Sequence, residues 1–76
     1  MMFSKEIFAE RLRNVRLEKA LTQSQLAELA NVNRTTITLI EKGERAPSVE
    51  VLCSLAEVLD VSIDFLVDHV PAKKNL

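Results

Sequence analysis

The 76-residue sequence has no Trp and no Tyr, and only three Phe, one Cys, one His, one Gly and two Pro. Without the large aromatics, its apolar 47% must build a core from Leu, Ile, Val and Ala. One Gly, two Pro and no Asn-Gly or Asp-Gly pair leave no punctuation for hairpins, so the expected fold class is all-α. Cys53 alone excludes an intramolecular disulfide. With His69 as the single His, a zinc site lacks its three or four ligands, and no metal or cofactor is expected. There is no Ser/His/Asp set and no phosphate-binding Gly loop, which argues against an enzyme. Met1–Phe3 is too short for a signal peptide, and no apolar run approaches the roughly 20 residues of a membrane span. The expectation is a soluble, cytoplasmic chain of one domain, near the small end of what folds without metals or disulfides.

Net charge is −1, but it is unevenly spread. Residues 1–46 carry eight Lys and Arg against six Glu, a balance of +2, whereas residues 47–76 carry two Lys against five acids, a balance of −3. A basic face in one half suits phosphate binding, because a phosphate senses the field over about one Debye length. The same numbers also fit two halves of ordinary solvated surface.

The apolar and polar residues fall into five short helical segments, expected at about 4–19, 23–30, 34–42, 48–59 and 62–68. Ser4 is placed to cap the first, along which Phe8, Leu12 and Val15 form one stripe. Thr22-Gln-Ser-Gln25 fits a capping box for the second, with Leu26, Ala27, Leu29 and Ala30 as its inner face. Asn31-Val32-Asn33 breaks the pattern: Asn31 tolerates a left-handed turn, and Asn33 caps a third helix that buries Ile37 and Ile40 and stops at Gly43. Ser48 caps the fourth, with Leu52, Leu55, Ala56 and Leu59 inward and Cys53, one position past Leu52, as a semi-buried small hydrophobe rather than a redox site. Asp60-Val61 is a turn, and Ser62 caps a short fifth helix with Phe65 and Leu66. Residues 1–70 then form the domain, and 71–76, after Pro71, a flexible tail.

Helices two and three meet the local demands of a helix-turn-helix. Such a crossing needs a small residue where the helices touch, a turn residue able to take positive φ, and an apolar anchor on the second helix. Ala27, Asn31 and Ile37 supply these at intervals of four and six, with Val32 and Ile40 adding core contacts. The wider segment LTQSQLAELANVNRTTITLIEKGERAPS, Leu21 to Ser48, resembles the lambda repressor/Cro-type (XRE-like) helix-turn-helix family. LAEVLDVSIDFL, Leu55 to Leu66, is similar to that family's last two helices, and Arg11 to Arg16 to the end of its first. The resemblance spans about residues 5–68 and implies a compact five-helix domain that binds double-stranded DNA. Two positions depart from it: Ala20 and Asn31 stand where the family usually has Gly.

The third helix is expected to enter a major groove with its N-terminal half. Arg34, Thr35, Thr38 and Leu39 share the face opposite Ile37 and Ile40, and are expected to meet base edges together with Asn33. Arg34 can donate twice to guanine O6 and N7; Leu39 can meet only thymine methyls, or else packs on helix two. Phosphate contacts are expected from Thr22 and Gln23 at one helix start, Ser48 at another, and Lys42 and Arg45 beside the loop. Arg11 and Arg13 could join them or be plain solvated surface. The resemblance further implies a salt bridge between Arg16 and Glu41, and a bracing role for Gln23. One such domain reads few base pairs, so a homodimer on a two-fold operator is expected, using the leftover apolar residues Val49, Val51, Ile63 and Val67. Two functions follow: a transcriptional regulator, or an antitoxin-like module whose DNA binding is secondary to a protein partner. Within the first, Arg34-Thr35 followed by Ile37 resembles the short controllers of restriction–modification genes, while Pro47-Ser48 is generic.

Overall fold

The structure, a computed structural model, describes residues 3–67. Each helix begins where a short polar side chain accepts from a backbone N–H that the helix leaves open. Ser4 Oγ accepts from the Ile7 N–H at 3.1 Å to start α1, Lys5–Glu18. Thr22 starts α2, Gln23–Ala30, through a reciprocal capping box: its hydroxyl accepts from the Gln25 N–H at 3.0 Å, and Gln25 Oε1 accepts from the Thr22 N–H at 2.8 Å. Asn33 starts α3, Arg34–Glu41, and Ser48 starts α4, Val49–Leu59. Ser62 Oγ accepts from the Phe65 N–H at 3.0 Å at the head of α5, Ile63–Val67. Ser4, Lys19, Lys42, Ser48 and Ser62, at the ends of the expected ranges, are flanking residues of these helices. Residue 68 and the expected tail, 71–76, lie outside the described residues.

The stops share one device. After α1, α2, α3 and α4 the chain passes through positive φ at Ala20 (60°), Asn31 (59°), Gly43 (75°) and Asp60 (57°). At each, two backbone bonds close back over the last turn, as in Ala20 N–H to Leu17 C=O at 2.9 Å and Leu21 N–H to Arg16 C=O at 3.1 Å. This pairing satisfies carbonyls that a helix end would otherwise leave open. Glycine is the usual occupant because it lacks the Cβ that crowds a left-handed backbone. Here it holds one of the four positions, and Ala20 is the costly substitute. The residue after three of these stops is apolar: Leu21, Val32 and Val61 pack against the core and fix the direction in which the next segment leaves.

The five helices enclose one core, and no strand occurs among the described residues. α3 packs on both α1 and α2, α4 packs on α2 and α5, and α5 returns to α1. Phe8, Leu12 and Val15 of α1 meet Leu26, Ala27 and Ala30 of α2, Ile37 and Ile40 of α3, Leu55, Ala56 and Leu59 of α4, and Leu66 of α5. Phe8 is the one fully buried aromatic in an otherwise aliphatic interior, with Phe3 leaning on it at 5.8 Å between ring centroids.

Two residues expected inside are outside. Leu29 is 59% exposed, and Cys53 is exposed. Both sit about 60° around the helix from the nearest buried position of their stripe, Leu26 in one case and Ala56 in the other. A two- or three-turn helix packed on one side buries an arc of roughly 100°, and these side chains fall beyond its edge.

Candidate nucleic-acid interface

The crossing of α2 and α3 is held by the three residues at its geometric bottleneck. Ala27 is buried in the core that α2 shares with α3, Asn31 takes φ 59°, ψ 44°, and Ile37 is fully enclosed. Ile40, one turn on, is also fully enclosed, so the inner side of α3 is fixed to the domain. Each such side chain contributes about 1.5–3 kcal/mol by leaving water.

A polar chain runs beside this crossing and joins three helices. Arg16 of α1 donates from Nε to Glu41 Oε2 at 2.6 Å and from Nη2 to Glu41 Oε1 at 3.0 Å, a two-pronged pair that is almost wholly buried. Its third nitrogen, Nη1, donates to the Leu21 carbonyl at 2.8 Å. Gln23, at the first turn of α2, donates from Nε2 to Glu41 Oε1 at 3.0 Å. Its Oε1 accepts from the Thr38 hydroxyl at 2.9 Å. Arg13 donates from Nη1 to the Glu41 carbonyl at 2.9 Å, a cation at the C-terminal end of α3, where the helix dipole favours it.

Along the outer side of α3, Arg34 and Thr35 are exposed, and Leu39 is half-buried. Arg34 makes no hydrogen bond or ion pair among the described residues, so its guanidinium donors are uncommitted. Asn33 is exposed, and its Oδ1 is used twice, by the Thr36 N–H at 3.0 Å and the Thr36 hydroxyl at 3.2 Å. Its amide nitrogen stays available. Thr38 is half-buried with its hydroxyl turned to Gln23, so it is part of the polar chain as well as of the outer face. Around α3, Thr22, Lys42, Arg45 and Ser48 are exposed and Gln23 half-buried. Thr22 and Ser48 each spend their hydroxyl on a cap, of α2 and α4 respectively.

Arg11 and Arg13 are engaged within the domain. Arg11 Nη1 donates to the Phe65 carbonyl at 2.7 Å, and its guanidinium lies 5.4 Å from the Phe65 ring centroid, pinning α5 to α1. Nothing local in the sequence distinguishes these arginines from surface ones. Their partners are 54 and 28 residues away.

Residues 12–66 match the helix-turn-helix family. The chain belongs to that family. Its members are DNA-binding transcriptional regulators of the lambda repressor type, not enzymes. This helix-turn-helix chain is 40% identical over 71 residues to the control protein C.SmaI of Serratia marcescens, an alignment covering 93% of the chain and 84% of that protein. It is 37% identical over 60 residues to the HTH-type regulator YqaE of Bacillus subtilis, covering 79% of the chain but 52% of the relative, so it spans about half that protein's length. Among solved structures it resembles the restriction-modification controller protein C.AhdI of Aeromonas hydrophila, at TM-score 0.78 and 34% identity over 82% of the chain and 94% of the other. It also resembles SinR of Bacillus subtilis in complex with DNA, at TM-score 0.75 and 35% identity over 78% of the chain and 95% of the other. SinR has further been solved as a complex with the protein SinI. No helix among the described residues is long and apolar enough to cross a membrane.

Proposed function

We propose that this helix-turn-helix chain is a sequence-specific, cytoplasmic transcriptional regulator that reads the major groove of double-stranded DNA with α3, as a homodimer on a two-fold operator. The observation that carries the reading is the division of α3. Ile37 and Ile40 lock one side into the core, while Arg34 and Thr35 at the N-terminal end stand clear with their polar groups unspent. Arg34 is the principal reader of guanine, Thr35 and Leu39 meet neighbouring base edges and methyl groups, and Asn33 offers its amide nitrogen. Thr22, Gln23, Lys42, Arg45 and Ser48 hold the flanking phosphates.

Of the four residues expected at the dimer interface, Val49 (76% exposed) and Ile63 (37%) are the most open, whereas Val51 and Val67 already pack partly against their own core. The interface is therefore centred on Ile63 and Val49, with Val51 and Val67 at its margin. The likeness to the control proteins C.SmaI and C.AhdI favours a controller of restriction–modification genes among regulators. The SinR–SinI complex supports a second reading, in which a protein partner masks the domain.

Selection of bound sites from random duplexes, repeated with Arg34→Ala, tests the first reading. Wild type is expected to enrich a palindrome. The variant is expected to lose preference for one guanine per half-site, at about 1–3 kcal/mol each. Failure of wild type to enrich any site would rule out sequence-specific regulation. Sedimentation showing a monomer both free and on a two-half-site duplex would rule out the dimer.

A further inference from the structure

The chain of hydrogen bonds beside α3 has a direction. A carboxylate can only accept, so Glu41 compels the Gln23 amide to present its nitrogen, and the 3.0 Å contact is Nε2 to Oε1. The amide oxygen then points the other way, and at 2.9 Å from Thr38 Oγ1 it can only accept. The single hydrogen of the Thr38 hydroxyl is thereby committed to Gln23. Only oxygen lone pairs remain for a partner outside the domain. Arg16, with two donors on the carboxylate and a third on the Leu21 carbonyl, holds the Glu41 side chain in place.

We propose that Thr38 is a polarity-selective reader: an acceptor-only hydroxyl that takes the exocyclic amino group of adenine or cytosine and turns away guanine O6 and thymine O4. A free threonine hydroxyl can donate or accept and so carries little information. This one is set by the buried Arg16–Glu41 pair through Gln23, which acts as the positioning residue. The inference rests on the reading that α3 lies in the major groove. Thr38 follows Arg34 by four residues and is therefore its neighbour on the helix surface, one turn further on. The amino-bearing base is expected one or two steps from the guanine that Arg34 reads.

The test uses the site enriched by the wild-type protein. At each adenine or cytosine of a half-site, the amino group is deleted by placing an unsubstituted purine or 2-pyrimidinone there, and binding is measured for wild type, Thr38→Ser, Thr38→Val and Gln23→Met. Wild type and Thr38→Ser should lose roughly tenfold in affinity at one symmetric position, the scale of one unmade hydrogen bond at a desolvated site. Thr38→Val should bind the natural and altered duplexes equally at that position, which removes any effect of weakened base pairing from the comparison. Gln23→Met should weaken all duplexes alike and also relax the discrimination against guanine or thymine placed at that position, because the released Thr38 hydroxyl can then donate to O6 or O4. A merely structural Gln23 would leave that discrimination intact. Thermal melting of each variant confirms that it is folded. The assignment is overturned if no position couples to Thr38, or if the coupled position responds to removal of a guanine or thymine carbonyl instead. If wild type enriches no site, the major-groove reading itself fails and takes this inference with it.

Discussion

Replacing Ala20 by Gly should make the domain more stable, although glycine ordinarily weakens a folded chain. Ala20 is exposed, so its methyl group forfeits little packing, and its φ of 60° is imposed by the two bonds that end α1. An L-residue with a Cβ carries a penalty of about 1–2 kcal/mol in that conformation. Glycine removes the penalty but gives the unfolded chain extra freedom, which offsets about 0.4–1 kcal/mol. The net gain is on the order of 0.5–1 kcal/mol, or a rise in Tm of roughly 2–8 °C for a domain of this size. Gly43→Ala is the reciprocal change. A Cβ there meets nothing closer than Glu6 Cα at 3.7 Å, so its cost comes from φ 75° alone and should be a loss of similar size. Calorimetric melting of both variants and their combination, with the combination close to wild type, is the assay. An unchanged or lower Tm for Ala20→Gly would refute the claim that this helix stop is strained.

Three further outcomes follow from the same structure. Glu41→Ala leaves Arg16 buried without its carboxylate and should lose about 3–5 kcal/mol in urea unfolding, whereas Arg16→Met with Glu41→Leu should recover most of that loss by exchanging the pair for apolar packing. Lys42→Ala should weaken binding to every duplex alike and reduce the slope of log K against log salt by about one unit; a loss confined to one sequence would show a base contact instead. Leu26→Ala, at a fully enclosed site, should cost about 2–5 kcal/mol, while Leu29→Ala on the same helix should stay within about 0.5 kcal/mol. Equal losses would mean that another surface covers Leu29.

What the sequence determines by itself is whatever is settled within one helical turn. Ser4, Thr22 with Gln25, Asn33, Ser48 and Ser62 each cap a backbone group three residues away, so their roles are legible without knowing the fold. The left-handed stops at Asn31 and Gly43 are legible for the same reason, and the stripe of Phe8, Leu12 and Val15 follows from helical period alone. The family resemblance adds the pairing of Arg16 with Glu41, which no local rule would give. The tertiary structure decides what depends on the element opposite. Leu29 and Cys53 have the chemistry of interior residues, but their neighbouring helices approach from the other side of the arc. Arg11 and Arg13 read as loose cations until α5 and the end of α3 arrive to receive them. Thr38 lies on the outer side of α3 by periodicity, yet the direction of its hydroxyl is set by Gln23, fifteen residues away, and by a carboxylate behind it. A hydrogen bond between distant residues needs both partners placed to within a few tenths of an ångström. Only the packed fold supplies that placement, and here it fixes which polar atoms remain free to meet DNA.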